Sequence, residues 1–218
     1  MRKYIWIFIL LLVIVLLGFY FLYFGNILFS SPGQTSSPTI SPSSSAVSSS
    51  SASPTGQEYA FPVARFKERV TKKPFGIYIT PQNSPVQPEV FTGYHTGADA
   101  EYTDAAIDVP VYAITDGTVV LSRTASGYGG VFMIEIQLNG TPHTILYGHI
   151  RPSSLPKVGQ KIIKGEQLAV LGTGYSSETD GERQHLHLSI LADDRIDVKG
   201  YVSSKSQLTG WIDPLSLY

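Results

Sequence analysis

GVFMIEIQLNGTPHTILYGHI, residues 130–150, is the stretch of sequence that decides the fold. Two runs of β-branched, aromatic and other apolar residues flank Asn139-Gly140, a pair that favours the tight turn of a β-hairpin. Similar short runs, separated by Gly, Pro, Asn and Asp, lie at 75–80, 111–114, 118–123, 131–138, 144–150, 167–171 and 186–191. No long amphipathic helical period interrupts them. The sequence therefore predicts an all-β domain of antiparallel strands.

Composition limits the chemistry that the chain can use. The 218 residues include no cysteine, which excludes a disulfide framework, a thiolate metal site and a cysteine nucleophile. Residues 1–57 carry only Arg2 and Lys3 as charged groups. All 17 acidic residues and the other 14 basic residues follow, so residues 58–218 have a net charge of −3. This acidic balance argues against nucleic acid as a partner.

The N-terminal segment predicts a membrane anchor. Residues 4–24, YIWIFILLLVIVLLGFYFLYF, contain no charge. As a helix this run would be about 32 Å long, which is enough to span a bilayer. A cleaved signal peptide is the alternative, but its apolar core is shorter, and GNILFSSPG is a poor cleavage site. We expect an uncleaved transmembrane anchor over residues 1–29.

The charges that flank the apolar run predict its orientation. Arg2 and Lys3 precede it, and no Lys or Arg occurs between residues 25 and 64. By the positive-inside rule, the N-terminus lies in the cytoplasm and the rest of the chain lies outside. We therefore expect a single-pass protein of the cell membrane whose folded domain is extracytoplasmic.

Residues 30–57 predict a linker. The stretch is composed mostly of Ser, Thr and Pro and has too little apolar surface to offset the entropy lost on ordering, so we expect it to be disordered. Its root-mean-square reach would be about 30 Å. The predicted organisation is an anchor at 1–29, a linker at 30–57 and a folded domain at 58–218.

We interpret two lysine-containing segments as structural rather than as binding or carrier sites. Residues 65–73, RFKERVTKK, are expected to form a solvated face. Residues 157–172, KVGQKIIKGEQLAVLG, resemble part of a lipoyl-type carrier domain, but Lys157, Lys161 and Lys164 do not occupy the tight turn that carries the modified lysine there. We expect a structural hairpin instead.

Histidine supplies the candidate chemistry. In HLH, residues 185–187, both imidazoles would lie on one face of a strand, because alternate residues share a face. In HTGAD, Gly97 would let the chain turn so that His95 and Asp99 converge. Together with one histidine of HLH they make three protein ligands, which is the number that a catalytic zinc site uses while leaving room for water. His149 and the remaining histidine of HLH would then be free to exchange protons.

A set of motifs now resembles the lysostaphin-type (LytM-like) zinc endopeptidases of peptidoglycan. The likeness covers residues 91–191, with a family-like WIDP at 211–214, and its motifs are HTGAD, PVYAITDGTVV, YGGVFMIEIQ, TILYGHI, VGQKIIKGEQLAVLG and HLHLSI. The resemblance implies an antiparallel β-sheet domain with a long groove, containing elements of lipoyl-like hybrid-motif type.

The same resemblance assigns roles to individual residues. His95, Asp99 and His187 match the zinc ligands of the family, and His149 and His185 match its two catalytic histidines that do not bind metal. The assignment implies one Zn²⁺ per chain. His143 matches nothing in the family, and we expect it to be an exposed strand residue.

Two segments depart from the family pattern. AEYTDAAIDVPV, residues 100–111, is longer than the usual loop, and GYSSETDGERQ, residues 174–184, is bulkier and more charged than the usual approach to HLH. Both are expected to border the groove. Tyr128, Tyr147 and Tyr175 are candidates for groove residues or, equally, for core packing.

The hypothesis from sequence is a membrane-anchored zinc endopeptidase that hydrolyses peptide stems or cross-links of peptidoglycan. One free histidine would act as general base and the other would steady the oxyanion, and the sequence does not decide which. The alternative is a non-enzymatic wall-binding or hydrolase-regulating module on the same fold. A Gly-rich or other extracellular protein substrate also stays open, as do the bond cleaved and an unidentified regulator, such as an autoinhibitory segment at 75–88.

Overall fold

The computed structural model of the protein describes residues 58–105 and 108–218. The predicted anchor at 1–29 and the predicted linker at 30–57 lie outside these residues. Within the described part, no helix is long and apolar enough to cross a membrane.

The described residues form an antiparallel β domain, as the sequence predicts. A single α-helical turn, α1, spans Phe66–Arg69. The strands are β1 Tyr78–Ile79, β2 Gly93–His95, β3 Ala98–Glu101, β4 Pro110–Tyr112, β5 Gly117–Ala125, β6 Gly129–Leu138, β7 Thr141–Ile150, β8 Lys161–Ile162, β9 Gln167–Val170, β10 His185–Leu191, β11 Tyr201–Val202 and β12 Trp211–Ile212. Short 3-10 turns begin at Pro152, Ser177, Lys205 and Pro214.

The β6–β7 hairpin is the centre of the largest sheet. That sheet has the order β12-β10-β7-β6-β5-β8, and β3 pairs with β10 on the same side as β12. Leu138 pairs with Thr141 across the turn, and Asn139 and Gly140 have φ of 52° and 76°. Both central residues thus have positive φ, as a two-residue hairpin turn requires, and the predicted hairpin is confirmed.

Two smaller sheets complete the fold. The order β1-β2-β11 forms one, and β4 pairs with β9 in the other. The main core lies on one face of the large sheet, where Phe132 stacks on Tyr147 with ring centroids 4.6 Å apart. The buried Tyr147 hydroxyl accepts a hydrogen bond from the Ile114 amide, so this polar atom is satisfied inside the core.

Some sequence expectations were wrong in detail. Residues 157–172 contain two tight turns at Gly159 and Gly165, but they do not form a hairpin, because β8 pairs with β5 and β9 pairs with β4. The strand predicted at 75–80 is reduced to Tyr78–Ile79, since the chain turns at Gly76 with φ of 76°.

The segment 65–73 is only partly a solvated face. Phe66 is fully buried in the core, and Lys73 is 2 % exposed, with its Nζ 2.5 Å from Glu89 Oε2. Arg69 pairs with the exposed Asp104. The expectation failed for Lys73 because its partner lies 16 residues further along the chain, beyond the reach of a local pattern.

Candidate active site

The strand register brings distant parts of the sequence to one point. On the β3–β10 ladder, Asp99 lies directly opposite His187 and Glu101 lies opposite His185. His95 ends β2, which belongs to the neighbouring sheet and pairs with β11. All five predicted site residues are at most 4 % exposed.

Three side chains converge in a cluster of metal-ligand type. His95 Nε2 lies 3.0 Å from His187 Nδ1 and 3.2 Å from Asp99 Oδ1, and His187 Nδ1 lies 3.0 Å from the same oxygen. Ligand atoms about 2.0 Å from a tetrahedral zinc ion would be about 3.3 Å apart. The observed separations are within a few tenths of an ångström of that value.

The protonation of the ring nitrogens is also compatible with binding of a cation by these atoms. His95 Nδ1 lies 3.2 Å from the Pro74 carbonyl oxygen, which can only accept, so Nδ1 carries the hydrogen and Nε2 presents a lone pair to the cluster. A lone pair of His95 and a carboxylate oxygen of Asp99 therefore face the same small space as His187 Nδ1. A proton can bridge two of these atoms, whereas a cation can satisfy all three.

Gly97 is required by close approach rather than by a turn. A Cβ at this position would lie 2.4 Å from the Leu188 carbonyl oxygen and 2.8 Å from the His187 ring. The sequence expectation that Gly97 lets His95 and Asp99 converge holds, but the physical reason is that the chain passes directly against β10.

The second carboxylate oxygen of Asp99 is occupied by Arg183. Its Nη2 donates to Asp99 Oδ2 at 2.8 Å and to Glu101 Oε1 at 2.7 Å. Burial alone would raise the pKa of Asp99, but His95, His185 and His187 hold it well below its usual range, so the carboxylate stays ionised. Burial would lower the pKa of Arg183, and the two carboxylates raise it instead.

His149 reaches the site through a β-bulge. Gly130 pairs with Ile150 and Val131 pairs with Gly148, which leaves His149 as the extra residue of β7. Its φ of 60° is unusual for a residue with a side chain. Tyr147 faces the core, so regular alternation would send His149 to the core as well. The bulge turns it to the opposite face, where its ring centroid is 4.0 Å from that of His185.

The two further histidines differ in their hydrogen bonds. His185 Nδ1 lies 2.8 Å from the Arg183 carbonyl oxygen and therefore carries a hydrogen, so Nε2 is the atom that faces Asp99 Oδ2, at 3.3 Å. His149 Nδ1 is buried and has no hydrogen-bond partner among the described residues. Burial, and then the neighbouring His185, hold the pKa of His149 well below its usual value.

Burial also lowers the pKa of His187, to about 4, although Asp99 acts in the opposite direction. His187 is therefore neutral at pH 7, which is the form in which an imidazole binds a metal.

A cleft of about 230 Å³ opens onto these residues. Tyr128 lies between the histidines, with its ring centroid 5.3 Å from that of His149 and 5.5 Å from that of His187. Its buried hydroxyl has no hydrogen-bond partner among the described residues. Phe91 stacks on Tyr201 on the cleft wall, and the Tyr201 ring in turn lies 5.1 Å from that of His95. No residue of 75–88 is among the described residues that line the cleft.

Other candidates from the sequence lie elsewhere. His143 was expected to be exposed, but it is buried, and its Nδ1 is 2.9 Å from the Leu191 carbonyl oxygen, so the expectation was wrong. Alternation on β7 did not reveal this burial, because the partner of His143 lies 48 residues further along the chain. Tyr147 is a core residue, Tyr175 is 71 % exposed, and Tyr128 alone of the three lines the cleft.

Sequence reasoning also missed several residues of the site. Arg183 and Glu101 lie in the two segments that depart from the family pattern, and Lys73 and Tyr201 line the same cleft. The unusual charge of residues 174–184 was the signal for Arg183, but the sequence does not reveal that this charge is buried.

Fold and site together define a class of antiparallel β domain in which a His–Asp–His cluster lies beside two further histidines, and all of these residues except His95 line one cleft. Residues 93–198 match the model of Peptidase family M23. The resemblance seen in the sequence is therefore confirmed. All five predicted site residues fall inside the matched segment.

Individual relatives match over limited lengths. A stretch of 115 residues is 32 % identical to Endolysin 2638A of Staphylococcus phage 2638A, covering 51 % of this chain and 22 % of the endolysin. A zinc-containing peptidase from Vibrio cholerae is 26 % identical, with a TM-score of 0.38, over 57 % of this chain and 35 % of that one. The structure of LytU is 26 % identical, with a TM-score of 0.43, over 67 % and 81 % of the two chains. The chain thus spans about a fifth of the endolysin and about a third of the Vibrio protein.

Proposed function

We propose that this chain is a zinc endopeptidase that hydrolyses peptide stems or cross-links of peptidoglycan outside the cell. The observation that carries the proposal is the convergence of His95 Nε2, Asp99 Oδ1 and His187 Nδ1 within 3.2 Å of one another, beside two histidines outside the cluster. The match to the model of a peptidase family supports the reaction class. The similarity to a phage endolysin supports the wall as substrate.

His95, Asp99 and His187 would hold one Zn²⁺. When bound, the ion would supply a Lewis acid that polarises a carbonyl and lowers the pKa of water. The chain contributes a buried site in which both ligand histidines have their second ring nitrogen directed away from the cluster. The Pro74 carbonyl fixes the tautomer of His95 and keeps its ligand atom oriented before the metal arrives.

His149 and His185 would move the proton. Nδ1 of His185 is held by the Arg183 carbonyl, so Nε2 is the atom that exchanges a proton with water or with the leaving amine. His149 is kept neutral by burial and has a free ring nitrogen within the cluster of imidazoles. One of the two would serve as general base while the other donates to the oxyanion.

Tyr128 would add a third donor. Burial, and then Asp99, raise the pKa of its hydroxyl. The hydroxyl therefore stays protonated and can donate a hydrogen bond. Its lack of a partner in the described residues leaves it available for a carbonyl oxygen of the substrate.

The N-terminal segment would tether this domain to the membrane. The uncharged run at 4–24 and the preceding Arg2 and Lys3 support a single-pass anchor with the domain outside. Phase partition in a cloud-point detergent tests this part. The full chain should enter the detergent phase and residues 58–218 alone should stay in the aqueous phase; equal partition of both would contradict the anchor.

Digestion of purified cell walls tests the activity. We expect the full chain in detergent to release new amino termini from walls, and a chelator followed by added Zn²⁺ to abolish and then restore the release. Mass spectrometry of the released fragments identifies the bond. A chain that binds zinc but leaves the wall peptides unchanged would instead support the alternative, a wall-binding or hydrolase-regulating module.

A further inference from the structure

Arg183 occupies an unusual position for an arginine. Its side chain is 2 % exposed and is the largest fully buried side chain of the described residues. Arg183 Nε donates to Glu101 Oε2 at 2.8 Å, while Nη2 reaches both Glu101 Oε1 and Asp99 Oδ2. A buried guanidinium needs such partners, because an unpaired buried charge is strongly unfavourable.

The strand register explains how this network is built. Asp99 and Glu101 are two residues apart on β3 and therefore share a face. Glu101 lies opposite His185 at the beginning of β10, so Arg183, two residues earlier, arrives beside both carboxylates. The guanidinium thus contacts the Asp99 oxygen other than the one that lies closest to His95.

The two carboxylate oxygens of Asp99 have different partners. Oδ2 accepts a hydrogen bond from the guanidinium, and Oδ1 alone lies within 3.2 Å of both His95 and His187. Rotation of the carboxylate about its Cβ–Cγ bond would break the contact with Arg183. The network therefore fixes which oxygen faces the cluster.

We propose that Arg183, held by Glu101, is a positioning residue that presents Asp99 to the metal through a single oxygen. This inference rests on the proposed zinc site and adds residues outside the ligand set. Besides holding Arg183 in place, Glu101 also balances its charge. Its negative charge offsets the guanidinium, so Asp99 is oriented without a net positive charge beside the cation that it would bind.

A zinc titration of the full chain in detergent, by competition with a chromophoric chelator, tests the inference. We expect Arg183→Gln to weaken zinc binding by about 10- to 100-fold, the range found when partners of metal ligands are removed. Arg183→Lys keeps the charge and one donor, and it should recover part of the loss. Since the Arg183 carbonyl remains in every variant, its hydrogen bond with His185 does not confound the result.

Cobalt spectra give a readout that is independent of activity. With Co²⁺ as the probe, Arg183→Gln should change the intensity of the visible bands, because Asp99 becomes free to bind through both oxygens. Arg151→Gln is the matched control, since Arg151 also pairs with two carboxylates, those of Asp108 and Glu178, but does so near the surface. It should bind zinc and cobalt as the unaltered chain does.

Two further variants keep the test decisive if Arg183→Gln does not fold. Glu101→Gln keeps the shape and an acceptor but removes the charge, and it should weaken zinc binding by about tenfold. In an Asp99→Ala background, Arg183→Lys should have no further effect on zinc binding, because the arginine acts through that carboxylate. Zinc binding unchanged in Arg183→Gln or Glu101→Gln, or an Arg183→Lys effect that persists without Asp99, would overturn the inference. Failure of the unaltered chain to bind zinc would instead overturn the proposed function, and the inference with it.

Discussion

At the scale of single residues, the histidines separate into three kinds. His95 and His187 each present a ring nitrogen to the cluster with Asp99. His149 and His185 lie beside it, and His143 is buried elsewhere against the Leu191 carbonyl. Substitutions can therefore distinguish a role in metal binding from a role in proton transfer and from simple burial.

His187→Ala should remove metal and activity together. Only two ligands of three would remain, so we expect zinc affinity to fall by more than about 100-fold, beyond the effect of losing a partner of a ligand. Zinc content after dialysis and hydrolysis of wall fragments measure the two losses. Activity that survives with an empty site would remove His187 from the ligand set.

His149→Ala should remove activity and leave zinc in place. Loss of a proton-transfer group costs about 10²- to 10⁴-fold in rate. His143→Ala is the control, because it deletes another buried imidazole from the same strand; it should retain zinc and activity while losing about 1 kcal/mol of stability. If His149→Ala emptied the site, His149 would have to be reassigned as a ligand.

The five candidate side chains could be selected from the sequence because their motifs are short and local. The sequence did not predict Arg183 and Glu101, whose importance depends on register between strands. From the sequence alone, residue 183 is expected in a charged surface loop. Only the pairing of Glu101 with His185 reveals that the Arg183 guanidinium is buried.

At the scale of elements, the β3–β10 ladder and the bulge on β7 build the site. β10 supplies His185 and His187 on one face, β3 supplies Asp99 opposite His187, and the bulge turns His149 to the same side. The hairpin that contains the bulge was predictable from Asn139-Gly140. The bulge was not, because the apolar run in TILYGHI does not mark where the register shifts.

Gly97→Ala should disrupt the site from outside the ligand set. The added Cβ would collide with the Leu188 carbonyl and the His187 ring, and we expect a loss of about 1–3 kcal/mol in stability together with weaker zinc binding. Thermal unfolding with and without zinc separates the two effects.

Gly159→Ala is the control for that substitution. Nothing lies within 4 Å of its added Cβ, and its φ of +85° should cost about 1 kcal/mol without changing the affinity for zinc. An equal change of zinc affinity in both variants would show that Gly97 has no special role in the site.

At the scale of the whole molecule, the buried Lys73–Glu89 pair joins the segment before β1 to the segment before β2. Glu89 also accepts hydrogen bonds from the Ser84 hydroxyl and from the Val90 and Phe91 amides. Burial alone would raise its pKa, but Lys73 and these donors lower it below the usual value. Lys73 also contacts the Tyr201 hydroxyl, so the pair supports one wall of the cleft.

Glu89→Gln should lower the free energy of unfolding and make it depend less on pH in the acidic range. A lowered pKa in the folded state contributes stability above the ordinary value of about 4.5, and this contribution is lost as the pH falls through the folded-state pKa. We expect the variant to lose about 3 kcal/mol at pH 7, because Lys73 loses its charged partner, and to show a smaller further loss on acidification.

Denaturant unfolding at a series of pH values measures this effect. Asp104→Asn, which removes the partner of Arg69 from an exposed pair, is the control and should cause a smaller loss at pH 7. A Glu89→Gln variant as stable as the unaltered chain at pH 7 would contradict a structural role for the pair.

The separation of Asp99 and His187 by 88 positions also affects the order of events in biosynthesis. A growing polypeptide that has not yet reached β10 has two of the three converging side chains and neither histidine of the HLH motif. The His–Asp–His cluster can therefore assemble only after β10 has been synthesised. On the function proposed above, a chain that crosses the membrane unfolded would have no assembled site during passage and would act only after the last strands pair outside.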